Sequence, residues 1–187
     1  MIVIGGSLGG CSAVGRILSR LPKGFSAPIA VVLHRHRDSE DMIVPILQRE
    51  TALVVSEAED KEPIMPGRVY LCPPDYHLLI DDGCFSLSVD DLVSFARPSI
   101  DVLFESAAEW FGRTAVAVVL SGSGADGAAG SRRVTERGGA VLVQDPRTAE
   151  GRWMPEAAIL ASPHCRVLPL DAIAPALVRH LQASRGL

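Results

Sequence analysis

No run of eighteen apolar residues occurs in the 187-residue chain, and no cationic segment precedes an apolar stretch at its N-terminus. A membrane-spanning helix needs about 20 apolar residues and a secretory signal needs a positive n-region, so neither is expected. Positive charge is not in excess either. The net charge is −4 and the sequence pI is near 5.7, which leaves no basic footprint for nucleic acid or an anionic membrane. Cysteine is scarce: Cys11, Cys72, Cys84 and Cys165 are scattered without a Cys-x-x-Cys pair. They read as reduced thiols, not as a disulfide frame or a zinc site, and the expectation is a cytoplasmic protein. There is no internal repeat and no low-complexity segment. What remains is globular: hydrophobic residues make up 48% and charged residues 21%, in a length that suits one domain, here residues 1–187, with a sizeable core.

The organising stretch is Met1 to Gly10, MIVIGGSLGG. Ile2, Val3 and Ile4 predict a short buried strand, and a glycine-rich turn follows at once. Beyond it, Ala13, Val14, Ile17, Leu18 and Leu21 recur at helical spacing, so Ser7 lies in a strand-turn-helix junction. A dinucleotide-binding turn wants Gly-x-Gly-x-x-Gly. With its outer glycines on Gly5 and Gly10, Ser7 occupies the middle glycine position where the pyrophosphate comes closest, so that reading is disfavoured. Gly5-Gly6-Ser7-Leu8-Gly9 instead matches the nucleophile elbow Gly-x-Ser-x-Gly in full. The plain alternative is a tight turn whose serine caps a helix.

Wholly apolar strands recur at Pro28–Leu33 and Thr114–Leu120, with further strands at 53–55, 139–143 and 166–168. Intervening helical patterns lie near 39–49, 99–111, 127–136 and 171–182, and a short helix follows Pro155. Continuous apolar strands alternating with helices predict an α/β three-layer, doubly wound domain with a mostly parallel sheet. Residues 58–93 are different: strands at Val69–Cys72, Leu78–Ile80 and Phe85–Val89, split by Pro73-Pro74-Asp75 and Asp81-Asp82-Gly83, predict a β-hairpin or meander insert. Ser99 is the expected N-cap of the helix that buries Val102, Leu103, Ala107, Trp110 and Phe111.

In parallel sheets ligands bind past the carboxyl ends of the strands, at the point where strand order reverses. Ser7, His34 and Asp126 each follow such a strand. If the first and fourth parallel strands flank that point, the three converge as nucleophile, base and orienting carboxylate. The N–H groups of Leu8 and Gly9 and the turn around Ser123 are the candidate oxyanion donors. Asp145, also at a strand end, is the rival acid. His77 is divided between a site role and a buried structural one, and His164 and His180 read as structural or solvated. His34-Arg35-His36-Arg37-Asp38 has the His-x-His-x-Asp spacing of binuclear zinc hydrolases. The further His of that motif is replaced by Ser39, so no metal is expected, nor any cofactor.

Six blocks together resemble the catalytic domain of the bacterial chemotaxis receptor methylesterases. They are Gly5–Gly10; His34 after Ala30-Val31-Val32-Leu33; Gly67-Arg68-Val69-Tyr70 with Pro73 and His77; Arg97–Phe104; Leu120–Gly127; and Gln144-Asp145 with Met154-Pro155. The resemblance runs in order through nearly the whole chain. It implies a serine hydrolase that removes methyl groups from glutamate γ-methyl esters of chemoreceptors, releasing methanol, with glutamine deamidation as a further activity. Carried over by position, the catalytic residues are Ser7, His34 and Asp126, and Met154 joins the pocket. The partner implied is a methyl-accepting receptor. The departures are Leu8 for the family's usual threonine, Ser123 for its methionine, and Trp153 for a glycine. They open a second expectation, a catalytically weak relative that binds protein. Since Met1 begins the first strand, no receiver domain is expected in this chain.

Overall fold

The computed structural model describes residues 1–35 and 42–185, with the side chains described up to residue 183. In chain order the elements are β1 (Ile2–Gly6), α1 (Gly10–Leu18), β2 (Ile29–Leu33), α2 (Ile43–Glu50), β3 (Val54–Glu57), β4 (Arg68–Leu71), β5 (His77–Asp81), β6 (Cys84–Ser88) and α3 (Ile100–Phe111). They continue with β7 (Val116–Val119), α4 (Ala128–Glu136), β8 (Ala140–Gln144), α5 (Trp153–Ala161), β9 (Arg166–Leu168) and α6 (Leu170–Arg185). Seven strands form one sheet in the order β3-β4-β2-β1-β7-β8-β9. Every neighbouring pair in it is parallel, and β5 and β6 form a separate antiparallel hairpin.

Side chains alternate across each strand, and this divides the core in two. Ile2, Ile4, Val31 and Val118 face α1, α2 and α6 through Ile17, Leu47 and Leu177. Val3, Val32, Ala117 and Val143 face α3, α4, α5 and the hairpin through Phe104, Val134, Ala158 and Phe85. Both faces are covered, as the apolar runs require. The strand predicted at Val69–Cys72 does not belong to the insert. As β4 it lies between β3 and β2, because Val69 and Leu71 on one side and Tyr70 on the other have a core to enter on both faces. The insert is therefore a two-stranded hairpin, not a meander.

The chain leaves β1 for β2, β4 and β3 on one side and returns to β7 on the other. The expected switch point thus lies at β1, although β4 makes β7 the fifth parallel strand rather than the fourth. One helical face also differs from expectation. Trp110 is half-exposed beside the hairpin turn at Gly83, and α3 instead buries Ile100, Leu103, Phe104, Ala107 and Ala108. On α2 only Leu47 is buried, and Pro45 falls in the first turn, where its missing N–H costs nothing. The predicted start of that helix at Ser39 lies outside the described residues.

Candidate active site

The elbow forms because β1 ends against a helix start. A Cβ on Gly5 would lie 2.3 Å from Cγ2 of Ile100, so only glycine lets α3 approach the strand. Gly6 pairs in register with Leu33, and the His34 N–H donates to the Gly6 carbonyl at 3.1 Å. Ser7 and His34 are therefore the next residues along two adjacent strands. On the other flank, the Ser7 N–H donates to the Ser121 carbonyl at 2.9 Å.

Asp126, only 2% exposed, is held from four directions. Its Oδ2 meets His34 Nε2 at 2.7 Å and accepts the Ile100 N–H at 2.7 Å. Its Oδ1 accepts the Ser99 hydroxyl at 2.8 Å and the Asp101 N–H at 2.9 Å. This revises the expectation for Ser99. It stands at the N-cap of α3 but makes no capping bond there, because Asp126 supplies the capping carboxylate from another loop and Ser99 turns its hydroxyl to it. The exchange is reciprocal. Asp101 in the first turn of α3 accepts the Gly127 and Gly130 N–H groups at 2.9 and 2.7 Å, and so caps α4. Each carboxylate satisfies orphan donors of the other's helix and sits in the positive field of its N-terminus.

Environment divides the two acids. Burial pushes the Asp126 carboxyl up, but the bonds from His34, Ile100, Asp101 and Ser99 outweigh it and hold the group below the ordinary carboxylate value. For Asp101 burial prevails over its two glycine N–H bonds, with help from the nearby charge of Asp126, and its pKa is raised to about 6.

Among the residues foreseen around the elbow, Leu8 is half-exposed and Ser123 is exposed. The Leu8 and Gly9 N–H groups have no protein acceptor among the described residues, as an oxyanion site requires. Met154 is buried: its Sδ and Cε would lie 2.8 Å from a Cβ on Gly122, with Ser7 Cβ at 3.0 Å. The thioether, Gly122 and the serine are thus packed together. Asp145 goes elsewhere, capping the short helical turn Pro146–Thr148 and pairing with Arg147, so it is not His34's partner. His77 is buried. Its Nδ1 accepts the Ser99 N–H at 3.2 Å and its Nε2 faces the Asp91 carbonyl at 3.1 Å, which puts the proton on Nε2 in a structural role. His164 is exposed and His180 partly buried. His36, Arg37 and Asp38 lie outside the described residues.

Sequence reasoning missed Ser121. Its hydroxyl donates to the Leu8 carbonyl at 2.6 Å and accepts the Gly151 N–H at 2.9 Å, while its own N–H is taken by Gln144 Oε1 at 2.9 Å. This clamp ties the elbow, the β7 turn and the start of α5 together. Sequence reasoning placed Asp101 in the first turn of its own helix but missed the cap that Asp101 gives to α4. The available signal was that α4 begins at Gly127, which has no side chain to cap a helix with.

A fully parallel sheet that carries an elbow serine and a carboxylate-bound imidazole at its switch point defines a doubly wound α/β protein working at the carboxyl edge of its strands. The comparisons narrow that class. The CheB methylesterase family profile matches residues 2–177, and the chain belongs to that family. A Leptospira interrogans protein provisionally named protein-glutamate methylesterase/protein-glutamine glutaminase is 45% identical over 179 residues, covering 95% of this chain and 93% of its own length. The protein-glutamate methylesterase FrzG of Myxococcus xanthus is 38% identical over 96% of this chain, which spans 54% of FrzG. The crystal structure of the Thermotoga maritima CheB methylesterase catalytic domain superposes with a TM-score of 0.89 at 35% identity, over 95% of this chain and 96% of that one.

Proposed function

We propose that residues 1–187 form one methylesterase catalytic domain that hydrolyses glutamate γ-methyl esters on methyl-accepting chemoreceptors at the cytoplasmic side, with Ser7, His34 and Asp126 as its triad. The reading rests above all on the 2.7 Å bond between His34 Nε2 and Asp126 Oδ2, beside a serine one residue past a register-paired strand position. Adjacent strands stand about 4.8 Å apart, and β1 lies between β2 and β7. His34 gives Nε2 to Asp126; among the described residues no hydrogen bond joins its ring to the Ser7 hydroxyl, and Nδ1 is the nitrogen we assign to take the Ser7 proton. That inverts the usual assignment, in which the carboxylate takes Nδ1 and the serine faces Nε2, while preserving the chemistry.

Ser7 Oγ attacks the γ-carbonyl carbon as its proton passes to Nδ1, and the oxygen's developing charge meets the Leu8 and Gly9 N–H groups. The tetrahedral intermediate collapses, breaking the C–OCH3 bond; the leaving oxygen takes the proton back from Nδ1 and departs as methanol. Water then attacks the acyl-serine by the same proton path, giving glutamate and free Ser7. With a glutamine substrate the first leaving group is ammonia, which accounts for the paired activity in the relatives' names. Met154 packs the serine against Gly122. The Leu8 and Ser123 departures leave the backbone donors intact.

The test is methanol release from a methylated receptor fragment. Ser7→Ala and His34→Ala are each expected to lower turnover by at least ~10³-fold, with folding unchanged by circular dichroism. A Ser7→Ala protein that still releases methanol at the wild-type rate would refute the assignment.

A further inference from the structure

His34 lies on the wall of a cleft of about 550 Å³ that it shares with Arg35, Leu92, Phe95, Ala96 and Arg97. Phe95 has no place in the mechanism, yet it is 99% exposed, and Leu92 beside it is 58% exposed. Phe95 stands at the tip of a tight turn. Val93 and Ala96 exchange hydrogen bonds of 3.1 and 2.9 Å across Ser94 and Phe95, whose φ angles are +53° and +62°. A two-residue turn of this kind favours asparagine and glycine. A bulky aromatic residue in the left-handed region is strained, and full exposure of its ring adds no packing in return. For stability alone it is the wrong residue.

The turn is nonetheless firmly placed. Arg97 Nη1 donates to the Val89 and Asp90 carbonyls at 2.8 and 2.9 Å, and Nη2 to Asp75 at 2.8 Å. His77 binds the Asp91 carbonyl and receives the N–H of Ser99, the residue that holds Asp126. An unpartnered aromatic side chain is thus held on the same scaffold as the reacting groups.

We propose that Phe95 and Leu92 are the docking seat for an apolar flank of the polypeptide segment that carries the ester, fixing the receptor over His34. This rests on the methylesterase reading and adds the surface that recognises a protein rather than a free ester. Position and charge favour a polypeptide occupant. His34 lines the same cleft as Leu92 and Phe95, so a polypeptide that presents an ester to it runs past both side chains. The exposed Asp90 and Asp91 flank the turn and repel an anionic lipid surface.

Phe95→Asn provides the test, because asparagine suits the turn and the variant is expected to fold with an unchanged or higher Tm. On a methylated receptor fragment kcat/KM is expected to fall about tenfold, mainly through KM. On the γ-methyl ester of N-acetylglutamate it should stay within about twofold of wild type, and Phe95→Leu should restore much of the receptor rate. Binding of the receptor fragment by a Ser7→Ala protein should weaken similarly when Phe95→Asn is added, which reads the seat without turnover. Unchanged receptor kinetics and binding in Phe95→Asn would overturn the proposal. So would a variant that loses only self-association, by sedimentation, or only binding to anionic vesicles. Wild-type protein inert toward both substrates would instead sink the esterase reading, with the binding arm still judging the seat.

Discussion

Asp126 accepts four hydrogens and donates none, so the charge of its side chain is what its surroundings are built to hold. Asparagine fits the space but turns an NH2 toward donors on one side. Asp126→Asn is therefore expected to lower the methanol release rate by ~10³- to 10⁴-fold, as loss of the orienting carboxylate does in other triads, and to lower Tm as well. The pH dependence follows from the depressed pKa. Below the carboxyl's folded value the proton binds in either state, so its contribution is present at and above the ordinary carboxylate value near 3.8 and is lost as pH falls through the folded one. Acid unfolding followed by circular dichroism should show that descending limb in the wild type and a shallower one in the variant. The histidine and the serine were legible as site residues because each follows an apolar strand at once. Asp126 reads as the partner of the imidazole ahead of Asp145, and the bond between them agrees; what the sequence did not carry is the reason, which is that the α3 N-terminus holds Asp126 in place while Asp145 caps its own turn.

At the scale of elements, α3 and α4 begin side by side and cap each other through Asp101 and Asp126, so the acid proposed to orient His34 also stabilises the fold. Asp101 has the opposite pH signature. With a folded pKa of about 6 against an ordinary 3.8, the native state holds the extra proton between those values, and this group's stability contribution declines as pH rises through that window. Asp101→Asn retains an Oδ1 to accept both glycine N–H groups and removes the titration. The expected result is near-wild-type stability at neutral pH and a flatter Tm profile between pH 4 and 6. Asp101→Ala orphans both donors, at roughly 1–3 kcal/mol each, and urea denaturation should show the loss. Should the asparagine variant be as unstable as the alanine one, the reciprocal cap is not what Asp101 provides.

Across the whole molecule, the sheet joins both helical layers to one working edge, and Gly5 is where that joint is tightest. Gly5→Ala drives a methyl into Ile100 and pushes the start of α3 away from Asp126. The expected cost is about 1–3 kcal/mol, a Tm drop of several degrees for this size, together with a fall in turnover larger than the stability loss explains. A thermal melt paired with the methanol assay checks both. The sheet, its parallel sense and its covered faces follow from the chain pattern alone, because apolar strands alternating with amphipathic helices have one economical way to bury themselves. The elbow follows too, since it is local: a strand, a sharp glycine turn and a helix within ten residues. Tertiary structure alone decided that 68–71 enters the sheet, that Asp126 caps a helix 26 residues earlier in the chain, that Ser121 clamps three loops, and that Phe95 is left bare at the cleft. Each of these depends on which distant segments become neighbours once the strands are ordered, and spacing along a chain does not record that order.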